Sequence, residues 1–78
     1  MFIGDKIEKL RKNKELSYGK LAELSGISSR SYIRNIENGT VADPALRTVM
    51  KLAKGLGVSI GELLEDVDIN EMDKKEGD

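Results

Sequence analysis

The stretch from Leu16 to Gly39, LSYGKLAELSGISSRSYIRNIENG, limits the possible folds of this chain more than any other part. Leu16, Leu21, Ala22 and Leu24 recur as one apolar face, Gly26 and Ile27 mark a turn, and Ile33 with Ile36 makes the next face. Such a segment forms two short helices at a sharp angle, with the second held edge-on to solvent. That second helix opens with Ser28-Ser29-Arg30 and runs on through Ser31, Arg34 and Asn35. These side chains reach phosphates and base edges in a DNA major groove, so the pattern points to sequence-specific DNA contact.

Charge weighs against this reading only when averaged. The net charge is −1, and duplex DNA rewards clustered Lys and Arg. Yet residues 1–57 hold eleven Lys/Arg against six Asp/Glu, a balance of +5, whereas residues 58–78 hold two against eight, a balance of −6. A basic body joined to an acidic end is expected where one face meets phosphate and the end stays off it. The bland alternative is a protein with a solvated acidic tail.

The 78 residues suffice for one small domain with a thin core. Cysteine and histidine are both absent, which excludes disulfide stapling, a zinc finger and the commonest general base. No glycine-rich phosphate loop or metal-ligand cluster is present, so no metal, cofactor or enzymatic role is expected. No apolar run is long enough to span a bilayer and the first residues lack a signal-peptide core, so a cytoplasmic chain without membrane contact is expected.

Helical spacing and caps predict five helices and no strand, an all-α fold. The first spans about Phe2 to Asn13, with Ile3, Ile7 and Leu10 on one stripe and Lys6, Lys9, Arg11 and Lys12 around the rest. Ser17 caps the second, with Leu16 and Leu21 spaced as a hydrophobic staple. After a loop over Gly39 to Ala42, Asp43-Pro44 is expected to open the fourth helix as cap and first residue, with Leu46, Val49, Met50, Ala53 and Leu56 as its core stripe until Gly57. Ser59 with Glu62 makes a capping box and Val58 with Leu63 a staple, so a fifth helix begins there and carries Ile60, Leu63 and Leu64. Residues 1–66 are assigned to the domain and 67–78 to an acidic tail expected to be disordered.

Five linked segments in this order resemble the Cro/phage-repressor-like, or XRE-type, helix-turn-helix family over about Ile3 to Glu65. They are Ile7-x-x-Leu10-Arg11; Leu16-Ser17 with Leu21-Ala22; Gly26-Ile27-Ser28; Ile33-x-x-Ile36-Glu37-x-Gly39; and Leu52-Ala53-x-x-Leu56-Gly57-Val58-Ser59-x-x-Glu62-Leu63-Leu64. The resemblance implies a five-helix repressor-like DNA-binding domain whose helices 2 and 3 form the helix-turn-helix. It further implies a transcriptional-repressor activity and a homodimer on a palindromic site. The chain departs from the family in three places. Tyr18 stands where a phosphate-contacting Gln is usual, and Glu15 where a left-handed Gly often ends the first helix. The span from Ala22 to Ile33 is one residue longer, so either Ser29 replaces Ser28 as the cap or the helix is locally overwound.

The candidate base readers are Arg30, Ser31, Arg34 and Asn35, since Arg forks onto guanine and Asn onto adenine. The alternative is a solvated face, and the extra residue leaves their assignment open by one position. Candidate phosphate contacts are Tyr18, Lys20, Ser28, Ser29, Asn38 and Thr40, near helix N-termini and in the loop after the third helix. Asn38 and Thr40 equally suit a turn, and Tyr32 either packs or reaches phosphate. The family pattern brings the first and third helices together at Arg11 and Glu37, implying a structural ion pair. The expected partners are double-stranded DNA and a second copy of the chain. A competing reading is an antitoxin-like protein-interaction module that holds a protein partner through its acidic C-terminal end.

Overall fold

The computed structural model describes residues 1–68, so the tail expected over 67–78 lies almost wholly outside the described residues. Five helices follow one another: α1 (Ile3–Asn13), α2 (Tyr18–Ser25), α3 (Arg30–Glu37), α4 (Leu46–Leu56) and α5 (Ile60–Leu64). α2 packs against α3 and α4, while α1 closes the domain against α3, α4 and α5. Ile7, Leu21, Ile33, Ile36, Leu52, Leu56 and Leu63 are fully buried at the centre.

Short-range polar bonds set most of the helix ends. Ser17 Oγ accepts from Lys20 N at 3.0 Å to start α2, and Gly26 closes it in the left-handed conformation at φ 71°. Ser29, not Ser28, caps α3, its Oγ accepting from Tyr32 N at 3.3 Å. The additional residue therefore lengthens the turn, and the apolar pair Ile33 and Ile36 keeps its place in the core. Glu15 adopts φ 56° after α1, the position where a glycine would be unstrained. The Ser59–Glu62 capping box opens α5 as expected.

Four expectations about packing are corrected. Asp43-Pro44 does not open α4, which starts at Leu46 after an extended Ala45 with no side-chain cap. Pro44 is instead buried in the loop, where its ring serves packing. Leu46 and Met50 are 67% and 51% exposed, because the buried stripe of α4 is Val49, Leu52, Ala53 and Leu56, which leaves those two at its edge. Leu24 is likewise 44% exposed, and Ser25, one turn after Leu21, takes the inward place. Lys6, expected on the solvated side, is buried with its Nζ 2.5 Å from Asp66 Oδ1.

Two helix-interior glycines set how closely the helices approach. A Cβ at Gly4 would strike the backbone oxygens of Ile36 and Glu37, the latter at 2.8 Å, so α1 lies directly on the end of α3. A Cβ at Gly55 would overlap Ser25 Oγ and come within 3.1 Å of Leu21 Cδ1. Ser25 Oγ is buried with no hydrogen-bond partner among the described residues, consistent with a site chosen for small size rather than polarity. At the other end, the Met1 amino group donates to Asp66 O at 2.8 Å and Asp68 N donates to Met1 O at 3.1 Å. Val67 packs against the core and, like Asp68, makes a backbone hydrogen bond within the domain.

Candidate nucleic-acid interface

α3 is amphipathic along its whole eight-residue length. Ile33, Ile36 and Glu37 face inward, and Ser31, Arg34 and Asn35, spaced i, i+3, i+4, occupy the outward side. Ser31 and Arg34 are exposed and Asn35 is half-buried. Arg30 is the first helical residue, and its side chain crosses the start of α2: a methyl at Gly19 would lie 4.0 Å from Arg30 Cδ and Nη1. Tyr18, Arg30, Ser31 and Arg34 line one shallow notch between α2 and α3. No carboxylate lines it, so two guanidinium groups set its potential.

The remaining candidates are placed less uniformly. Lys20 is exposed on α2, its Nζ 3.0 Å from Glu23 Oε1 in a solvent-screened pair that a phosphate can displace. Ser28 is exposed just before the α3 cap, and Ser29 is engaged as that cap. Asn38 Oδ1 accepts from Thr40 N at 2.9 Å, so these two shape the turn after α3, roughly 12 Å along the helix from Arg30. Tyr32 is half-buried and packs against the core.

The Arg11–Glu37 pair forms as the resemblance implied. Arg11 Nε donates to Glu37 Oε2 at 2.7 Å and Nη2 to Glu37 Oε1 at 3.0 Å, while Nη1 donates to Leu16 O at 2.9 Å. The Arg11 residue is 8% exposed and Glu37 4%. The hydrogen bond to Glu37 holds the guanidinium pKa above its ordinary value, against the opposing effect of burial. Sequence reasoning missed that the guanidinium also lies 4.2 Å from the centroid of the Tyr18 ring. An aromatic seven residues after an arginine was the only available signal, and it says nothing about stacking across a turn.

An all-α domain that presents a polar, arginine-bearing helix edge-on beside the N-terminus of a partner helix of equal length is a helix-turn-helix domain. Among the described residues, no helix is long and apolar enough to cross a membrane. The helix-turn-helix family model matches residues 7–63, and the chain belongs to that family. It is 35% identical over 71 residues to the HTH-type transcriptional regulator SinR of Bacillus licheniformis, covering 91% of this chain and 63% of that protein. To the cryptic phage CTXphi transcriptional repressor RstR of Vibrio cholerae it is 40% identical over 68 residues, covering 87% of this chain and 60% of that protein. The chain thus spans about three-fifths of the length of these relatives. The N-terminal DNA-binding domain of SinR from Bacillus subtilis superimposes with a TM-score of 0.73 at 35% identity, over 81% of this chain and 90% of that one.

Proposed function

We propose that this chain is a sequence-specific DNA-binding transcriptional regulator of the repressor type, which occupies an operator by placing α3 in the major groove. The observation that carries this reading is the outward face of Ser31, Arg34 and Asn35 beside a notch lined by Arg30 and Tyr18. In this reading Arg34, Asn35 and Ser31 meet base edges, and Arg30 at the rim of the notch serves a base or the adjoining phosphate. Tyr18, Lys20, Ser28, Ser29, Asn38 and Thr40 hold the backbone on either side. In this reading the protein acts inside the cell, where its operator lies.

A homodimer suits this function, because one short recognition helix contacts too few bases to select a site alone. A hollow beside α5, floored by the buried Ile3, Pro44 and Val49 and rimmed by exposed Leu46 and Asp43 and half-buried Leu64 and Val67, supports association there. The bound site is then an inverted repeat with half-site centres about 34 Å apart. The same hollow also supports the second reading, a module that holds a protein partner.

Enrichment from a random DNA pool, followed by binding at two salt concentrations, tests the proposal. Arg34→Ala or Asn35→Ala is expected to cost about 1–3 kcal/mol on the enriched site and little on random DNA. Lys20→Ala is expected to weaken all sequences alike and to lower the salt slope by about one unit. If no variant of Arg30, Ser31, Arg34 or Asn35 alters selectivity while the protein stays folded, α3 does not read DNA and the partner-binding account replaces this one.

A further inference from the structure

The geometry points to Arg11 as a positioning residue for DNA recognition, acting through the Tyr18 ring that walls the notch between α2 and α3. This inference rests on the reading of α3 as the recognition helix. It starts from the way one guanidinium joins three elements. Arg11 sits near the end of α1, grips Glu37 at the end of α3 with two hydrogen bonds, and holds Leu16 O in the turn before α2 with a third. The Cζ of the same group lies over the ring of Tyr18, the first residue of α2.

The edges of the guanidinium are committed to Glu37 and Leu16, so its plane is fixed. A fixed plane fixes whatever stacks on it. The Arg11 side chain is only 10% exposed, and a desolvated cation attracts an aromatic face more strongly than an exposed one does. Tyr18 is therefore clamped from the inside, while on the outside it lines the notch with Arg30, Ser31 and Arg34. The buried ion pair thereby fixes both sides of the notch: Glu37 anchors the helix bearing Arg34, and Tyr18 stands opposite. A DNA phosphate seated there meets two guanidinium groups and a phenol hydroxyl, and its seating sets how Arg34 approaches the bases.

A purely structural role would let the stack add stability without influencing selectivity. Three changes in the full chain separate the roles. Tyr18→Phe keeps the stack and removes the hydroxyl, Tyr18→Leu removes both, and Arg11→Lys keeps the charge but loses the fork and the planar face. Binding is measured by fluorescence anisotropy on the enriched duplex and on a random duplex at one salt concentration, with circular dichroism establishing that each variant is folded.

Tyr18→Phe is expected to weaken both duplexes alike and leave their ratio unchanged. Tyr18→Leu is expected to reduce the ratio by about tenfold, the size of one lost base contact. Arg11→Lys is expected to reduce the ratio as well, and to reduce it no further when combined with Tyr18→Leu. Should Arg11→Lys not fold, the contrast between Tyr18→Phe and Tyr18→Leu decides alone. An unchanged ratio in Tyr18→Leu, or additive effects of Tyr18→Leu and Arg11→Lys, overturns the inference. Failure of the underlying reading looks different: the unaltered protein then prefers no sequence, or Arg34→Ala leaves its preference intact.

Discussion

Replacing Glu37 with alanine tests the interior of this domain most sharply. The change removes the acceptors of Arg11 Nε and Nη2 and leaves the guanidinium with Leu16 O and the Tyr18 ring. Because Arg11 is 8% exposed, water cannot replace the lost carboxylate without opening the junction of α1 and α3. Stranding one member of a buried pair costs about 3–5 kcal/mol, against about 0–1 kcal/mol for a surface pair. A small domain has about 5–15 kcal/mol in total and loses about 4–8 °C of Tm per kcal/mol, so Glu37→Ala should lower Tm by at least about 12 °C. Urea unfolding followed by circular dichroism measures the loss directly. Arg11→Ala in the same chain should recover part of it, since no buried charge is then left over. A loss below about 1 kcal/mol, or strict additivity of the two changes, would refute the reasoning.

Four further substitutions probe other contacts. Gly55→Ala should destabilise by about 1–3 kcal/mol because its Cβ overlaps Ser25 Oγ, whereas Gly19→Ala, with its nearest neighbours at 4.0 Å, should stabilise by about 0.5–1 kcal/mol; thermal melts of both variants decide. Glu15→Gly should relieve a left-handed backbone at φ 56° and raise stability by up to about 1 kcal/mol, and an unchanged or lower urea midpoint would count against strain there. The hydrogen bond and charge of Lys6 hold the Asp66 pKa below its ordinary value, so the unfolded chain binds the proton more readily. Its contribution is complete above about pH 4, the ordinary aspartate value, and is lost as pH falls through the lower folded pKa. Asp66→Asn should therefore flatten the acid side of a Tm-against-pH curve, and an unaltered curve would show the pair to be inert.

The helices were legible because their signals are local. Ser17, Gly26, Ser59 and Glu62 satisfy backbone groups within four residues of themselves, and each works where sequence reasoning places it. Where the local signal was ambiguous or misleading, packing decided. Ser28 and Ser29 were equivalent candidates until Ile33 and Ile36 had to face the core, which selects Ser29 as the cap. Asp43-Pro44 had the grammar of a helix start, but burial of Pro44 in the loop defers α4 to Leu46. The outward face of α3 was legible for the same reason as the helices, since residues opposite a buried pair on an eight-residue helix can only point outward.

What the sequence by itself determined is the set of five helices, their order, and the assignment of Ser31, Arg34 and Asn35 to the face opposite Ile33 and Ile36. Caps, turns and helical period act over a few residues and need no knowledge of the rest of the chain. Tertiary structure alone decided that Leu46 and Met50 stay exposed, that Lys6 meets a carboxylate sixty residues away, and that Arg11 stacks on Tyr18 while gripping Glu37. Those outcomes depend on how closely and at what angle separate helices approach, and here Gly4 and Gly55 let backbone and side chains meet where any larger residue would hold them apart.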